Sequence, residues 1–287
     1  MKFSHVDIHS HVSFKEYDVD RAPVLARMRE AGVATITVGV DLASSTKAVE
    51  LASKEEGVFA TIGLHPADNT AEEFDARAFG ELVKNEKVVA IGECGLDFYR
   101  LAERDKKEQS SVLRASDAAM NTTTSYRRDG ISEVERARQK KELDAQIAFA
   151  LEHDKPLMIH CRAAHEEMLE TLTQYKRKAG EKLRGNIHFF TAPLSIAKRY
   201  NDLGFTISFP GVITFAREYD DAVRSVPLSM MMVETDAPFA SPVPFRGKRN
   251  EPSYVLETIR KIAELRGQPF EDVGAALRET TKRVLGV

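Results

Sequence analysis

The chain has 287 residues, 41 Lys+Arg against 44 Asp+Glu for a net charge of −3, and 43% hydrophobic residues; this composition fits a packed globular protein and excludes disordered, collagenous and coiled-coil classes. Two cysteines, Cys94 and Cys161, are too few for a disulfide scaffold and are expected to stay reduced, and no apolar run approaches the ~18 residues of a membrane span. Asp7, His9 and His11 stand where a signal peptide is apolar, so a cytoplasmic location is expected, and the near-neutral charge gives no long-range field for a polyanion, so a nucleic-acid substrate needs local phosphate contacts.

In chain order, short β-branched or apolar runs occupy 6–12, 34–40, 58–64, 88–94, 157–161, 186–190, 206–212 and 231–236. Between most of them lies helical periodicity, as in Val24, Leu25 and Met28 before Ala31-Gly32, or Leu143, Ile147, Phe149, Ala150 and Leu151 before Asp154 and Pro156. Strands alternating with helices imply a parallel α/β sheet, and eight repeats imply closure into a single (β/α)8 barrel over 1–287. The starts of the fourth and fifth runs are 69 residues apart, more than twice the other intervals. The excess falls in 101–138, rich in charge and in residues such as Asn121, Thr122, Thr123, Thr124 and Ser125, with almost no apolar periodicity. Its composition predicts a solvated insertion after strand four; a lid over the barrel mouth, centred on 109–129, is the functional alternative.

The chemistry sits at the strand ends. His9 and His11 are two apart, so their side chains share a face of the first strand. Glu93 ends the fourth run, His160 the fifth and Asp236 the eighth, and His188 lies in the sixth. In a closed parallel barrel these ends meet at one mouth. Buried carboxylates beside one another need compensation, and a cation is their natural partner. Six such ligands exceed the needs of one tetrahedral ion. Two divalent ions fit better, with Glu93 able to bridge them and a water activated for hydrolysis. Mixed imidazole and carboxylate ligation suits zinc or manganese, and magnesium less comfortably.

His65, before Pro66, reads as either a turn residue or a contact to the substrate. Asp97 and Glu234 are candidates for orienting ligand imidazoles. Arg162, Arg246, Lys248 and Arg249 are candidates for phosphate oxygens, although the loop cluster also reads as solvated charge or as a structural bridge through Asn250 and Glu251. His5, His153 and His165 are expected on the surface.

Asp7-Ile8-His9-Ser10-His11, Gly63-Leu64-His65-Pro66, Glu93-Cys94-Gly95-Leu96-Asp97-Phe98-Tyr99-Arg100, Ile159-His160-Cys161-Arg162, Glu234-Thr235-Asp236-Ala237-Pro238 and Pro244-Phe245-Arg246-Gly247-Lys248-Arg249-Asn250-Glu251-Pro252 together resemble the TatD family of metal-dependent hydrolases. The resemblance runs from about Val6 to Leu285. It implies a TIM barrel of the amidohydrolase superfamily, two divalent metals at its mouth and a 3′ to 5′ exonuclease activity on DNA, with single strands or 3′ ends as substrate. It also implies His9, His11, Glu93, His160, His188 and Asp236 as ligands and His65 near the substrate. The resulting scheme has Glu93 bridging, His9, His11 and Asp236 on one ion, and His160 and His188 on the other. Asp236 also takes the water's proton, while His65 and Arg162 stabilise charge on the phosphate. The rivals are a hydrolase using the same metals on an amide, lactone or small phosphoester, and a nucleic-acid-binding protein without catalysis. Phe189-Phe190-Thr191-Ala192 departs from the family's more usual Cys-Phe-Ser-Gly, and the 101–138 insertion is absent from the family's common form.

Overall fold

The computed structural model describes residues 3–99 and 132–287. Eight parallel strands follow chain order around one sheet: β1 His5–Ser10, β2 Val33–Val38, β3 Val58–Ile62, β4 Val88–Asp97, β5 Leu157–Arg162, β6 Gly185–Ile187, β7 Thr206–Phe209 and β8 Met231–Val233. Each expected run contains a strand, and the helices between them complete the α/β barrel: α1 Arg21–Glu30, α2 Leu42–Lys54, α3 Ala76–Leu82, α4 Glu133–Glu152, α5 His165–Ala179, α6 Leu194–Asp202, α7 Asp220–Ser225, α8 Val255–Arg266 and α9 Phe270–Leu285. The main core lies between sheet and helices, where Leu25 and Met28 of α1, Ala48 of α2, Phe79 of α3 and Leu143 and Ile147 of α4 are buried with Val33, Ile62, Ile91 and Ile159 of the strands.

Strand lengths differ from the apolar runs. β6, β7 and β8 stop short of 190, 212 and 236, because an apolar run records burial rather than ladder pairing. At two of these ends the backbone turns into the left-handed region, at Phe189 (φ 46°) and Asp236 (φ 56°). β8 therefore closes on β1 beyond its own ladder: the Asp236 N–H donates to His9 O (2.9 Å) and the His11 N–H to Ala237 O (2.6 Å). Beneath this seam the buried Asp7 carboxyl receives the Thr35 hydroxyl (3.1 Å) and the Thr235 N–H (2.8 Å), tying β1 to β2 and to the segment after β8. Burial pushes the Asp7 carboxyl up to about 8.

The polar segment expected over 101–138 needs correction at its end, since Glu133–Arg138 is the start of α4. That part of α4 shows no apolar periodicity because the one residue it buries is Arg136, and the next buried positions of the helix are Gln139 and Glu142. The rest of that segment, including the lid over 109–129, lies outside the described residues. The histidines expected on the surface are half-buried instead: His5 packs on Phe270 (5.3 Å) and His153 on Phe149 (4.4 Å), and His165 Nδ1 bonds the Tyr200 hydroxyl (3.0 Å). Cys94 and Cys161 are free and buried, and burial pushes the Cys161 thiol up to about 12.

Two glycines let β4 lie against β5 closely enough for Glu93 and His160 to meet. Gly92 (φ 149°) and Gly95 (φ 150°) adopt backbone angles that L side chains rarely reach, and a Cβ would stand 2.2 Å from Met158 O at the first and 1.9 Å from His160 O at the second. Gly95→Ala is therefore expected to cost about 3 kcal/mol of unfolding free energy, through backbone strain and displacement of β5. A denaturant melt matching wild type would contradict this close approach.

Candidate metal centre

The six residues expected as ligands converge. Glu93, 4% exposed, stands at the centre, and its two oxygens face different imidazoles. Oε2 lies 3.5 Å from His9 Nε2 and 3.9 Å from His11 Nε2. Oε1 lies 2.9 Å from His160 Nδ1 and 2.8 Å from His188 Nε2. Asp236 Oδ1 joins the first group, 3.8 Å from His9 Nε2 and 3.5 Å from His11 Nε2. The pairing of His9 and His11 follows from their two-residue spacing at the end of β1, with the seam to Asp236 and Ala237 fixing the third member.

The far side of each ring sets its tautomer. His160 Nε2 faces Asp97 Oδ2 at 3.0 Å and donates to it; metal-free, the protonated ring also donates Nδ1–H to Glu93 Oε1, and loss of that proton leaves the Nδ1 lone pair for a metal. His11 Nδ1 donates to Val38 O at 3.1 Å. His188 Nδ1 is 3.5 Å from Glu234 Oε1, a charge contact longer than a firm hydrogen bond; the Glu234 carboxylate is itself fixed by the Phe189 N–H (2.8 Å) and the Ser208 hydroxyl (2.6 Å). Of the two carboxylates expected to orient ligand rings, Asp97 hydrogen-bonds its imidazole and Glu234 stands at ion-pair range of the other. His65 differs from the others: its Nδ1 accepts the Ala67 and Asp68 N–H groups (3.1 and 3.2 Å), so its proton sits on Nε2, 3.4 Å from Glu93 Oε1. In that tautomer His65 is a donor rather than a ligand.

The donor set fits divalent cations. His9 is fully buried, and neither of its ring nitrogens has a hydrogen-bond partner among the described residues, an arrangement that costs about 1–3 kcal/mol if nothing else satisfies Nε2. That nitrogen, like His11 Nε2, looks onto carboxylate oxygens at ion-pair range rather than at the shorter distance of a direct bond. Metal-free, the positive charge comes from protons. Burial works to raise the Glu93 carboxyl, but the His188 and His65 rings and the His160 and His188 hydrogen bonds overcome it and hold Glu93 well below the ordinary range. Burial likewise works against charge on His188, yet Glu93 and Glu234 lift it well above the usual imidazole value. His160 is raised by Asp97 and Glu93, and His11 by Asp236 and Glu93, each against burial. His9 is lowered, by burial and by His188.

The centre forms the floor of a cavity of about 620 Å³. Its walls include Arg162, Asp68, Phe189 of the stretch that departs from the family pattern, and three aromatic residues, Phe14, Tyr219 and Phe239, that sequence reasoning did not single out. Phe14 could have been found, since it stands three residues after His11 and stacks on that ring at 4.5 Å. Arg162 lies over Tyr99 at 4.1 Å. Three of the four candidates for phosphate oxygens, Arg246, Lys248 and Arg249, do not line this cavity. Arg246 stacks on Phe215 at 3.8 Å. Arg249 donates two hydrogen bonds to the Asp20 carboxylate (2.9 and 2.6 Å) and lies over Tyr17, so its charge ties the loop after β8 to the segment before α1.

Because raised imidazoles must lose their protons to bind a metal, loading the stripped protein is expected to release protons, and its apparent metal affinity to rise as pH passes upward through and beyond the ordinary imidazole value of about 6.5. Calorimetry in buffers of different ionisation enthalpy measures both. An affinity independent of pH there, with no proton release, would contradict this charge state.

A family model described as TatD related DNase matches residues 6–122 and 128–286. The uncharacterized metal-dependent hydrolase YabD of Bacillus subtilis is 34% identical over 286 residues, 98% of each chain. The 3′-5′ ssDNA/RNA exonuclease TatD of Klebsiella pneumoniae is 28% identical over 291 residues, 98% of this chain and 97% of its own. Among solved structures, YJJV, a TatD homologue from Escherichia coli K12, superposes with a TM-score of 0.82 over 100% of both chains at 24% identity, a likeness of fold. Sequence match and barrel agree, and the chain belongs to the TatD-related DNase family of metal-dependent hydrolases that act on ester bonds.

Proposed function

We propose that this hydrolase is a deoxyribonuclease that removes nucleotides from the 3′ end of single-stranded DNA in the cytoplasm, using two divalent ions that share Glu93. One observation carries the two-ion reading: the Glu93 oxygens face separate nitrogen sets, His9 and His11 on Oε2, His160 and His188 on Oε1. On this reading Asp236 completes the first set, and the ion is manganese, zinc or magnesium. Divalent cations at these sets supply neutralisation of phosphate charge and a more acidic water.

The chain's own groups do the rest. Asp236, with a side chain 15% exposed, reaches the cavity beside the first nitrogen set, and it takes the proton of the attacking water as the water oxygen bonds to phosphorus and the ester oxygen departs. The His65 Nε2–H and the Arg162 guanidinium donate to the non-bridging oxygens, where negative charge accumulates. Phe14, Phe189 and Phe239 offer faces on which an unpaired base stacks without selection of sequence.

A cavity of about 620 Å³ lies within the ~300–1,000 Å³ range of small-ligand sites and accommodates a terminal nucleotide rather than a duplex. A net charge of −3 also disfavours binding through many phosphates. The name of the Klebsiella relative supports the same substrate class, and two free buried thiols suit a reducing compartment.

The test is end-labelled single-stranded DNA incubated with protein stripped and then reloaded with magnesium, manganese or zinc. Stepwise, metal-dependent shortening from the 3′ end is expected, and Glu93→Ala is expected to lower the rate by at least ~10³-fold, since it removes contacts to both nitrogen sets at once. No shortening with any of the three ions, alongside turnover of a lactone, an amide or a small phosphoester, would overturn the assignment to DNA.

A further inference from the structure

Gln139 and Gln146 lie seven residues apart on α4 and are both fully buried; that spacing puts them within ~20° of one helix face and about 10 Å apart along the axis. Each grips one backbone residue by both of its polar groups. Gln146 accepts the Leu64 N–H on Oε1 (2.8 Å) and donates Nε2–H to the Leu64 carbonyl (3.0 Å). Gln139 treats Asp97 the same way, at 2.9 and 3.0 Å.

The reason lies in the sheet. The β3–β4 register ends at Ile62 and Ile91, whereas β4 continues beside β5 to Asp97 and Arg162. The last part of β4 therefore overhangs β3, and its free edge is buried, where unpaired backbone groups are costly. A carboxamide presents one donor and one acceptor side by side, so it substitutes for the missing strand.

This grip reaches only one half of the metal centre. Asp97 orients His160, Leu64 precedes His65, and both imidazoles point at Glu93 Oε1 (2.9 and 3.4 Å). His9 and His11, which face Oε2, are set instead by β1, by Val38 O and by the seam to Asp236 and Ala237. We propose that Gln139 is a positioning residue: it fixes the backbone of Asp97 and, through it, the ring of His160, so that α4 sets the Oε1 half of the centre independently of the half built on β1. Gln146 registers the same helix on the loop that carries His65.

This inference rests on the two-ion reading, and the experiment separates the two. Gln139→Met keeps length and burial but removes both hydrogen bonds. Leu143→Ala, at a buried apolar position of the same helix, is the control for a merely loosened fold. Stripped proteins are titrated with manganese by calorimetry, with a thermal melt of each. Wild type is expected to take up two equivalents. Q139M is expected to weaken one of them about 10–100-fold and to leave the other within about twofold, while L143A lowers the melting temperature and keeps both. Q139E, which retains the acceptor and loses the donor, replaces Q139M if that variant does not fold, and is expected to show the same one-sided loss. Unchanged affinities in the Gln139 variant, equal loss of both, or the same pattern in L143A would overturn the role of Gln139. Uptake of a single ion by wild type would instead overturn the two-ion reading; Gln139 then stands if its variant, and not L143A, weakens that one site.

Discussion

Everything at the mouth of this barrel answers the burial of one ionised carboxylate. Removing the charge of Glu93 from water costs several kcal/mol unless opposite charge is supplied in the right geometry, and the protein supplies it from imidazoles at or just beyond the ends of β1, β3, β5 and β6. Metal-free, protonated imidazoles carry that charge, chiefly His188 with His160 and His11. On the function proposed above, divalent ions would take the place of those protons on the same nitrogens. The fold meets the resulting demands on backbone placement with local devices: glycines where β4 crosses close to β5, a seam of two hydrogen bonds where β1 meets the segment after β8, and carboxamides where β4 overhangs β3.

Much of this was legible in the sequence, for a physical reason. Barrel interiors are otherwise filled with branched apolar side chains, so Glu93, His160, His188 and Asp236 at the ends of apolar runs stand out against their background, and the two-residue spacing of His9 and His11 can be read as a shared face. Asp97 and Glu234 were visible by the same logic. Asp97 stands at hydrogen-bond distance from His160, and Glu234 at ion-pair range from His188.

What escaped was encoded in polar groups whose partners are distant in the chain. The start of α4 looked like solvated sequence because its buried face is made of Arg136, Gln139, Glu142 and Gln146, and apolar periodicity is blind to such a face. Arg249 looked like a phosphate contact because composition cannot reveal that Asp20, more than two hundred residues earlier, pairs with it. Phe14 and Phe239 are ordinary aromatic residues in the sequence. Only the fold brings them around the cavity with Phe189 and Tyr219. On the function proposed above, the same arrangement would reconcile a near-neutral chain with a polyanionic substrate, with attraction confined to the centre and Arg162 and aromatic walls suited to an unpaired end.

The account stands on Glu93 as a shared ligand, and anomalous diffraction from crystals of the manganese-loaded protein tests that most directly. Two peaks about 3.5–4 Å apart are expected, one beside Glu93 Oε2 with His9, His11 and Asp236, the other beside Oε1 with His160 and His188. A single peak, or a pair in which Glu93 contacts one ion alone, would contradict the account.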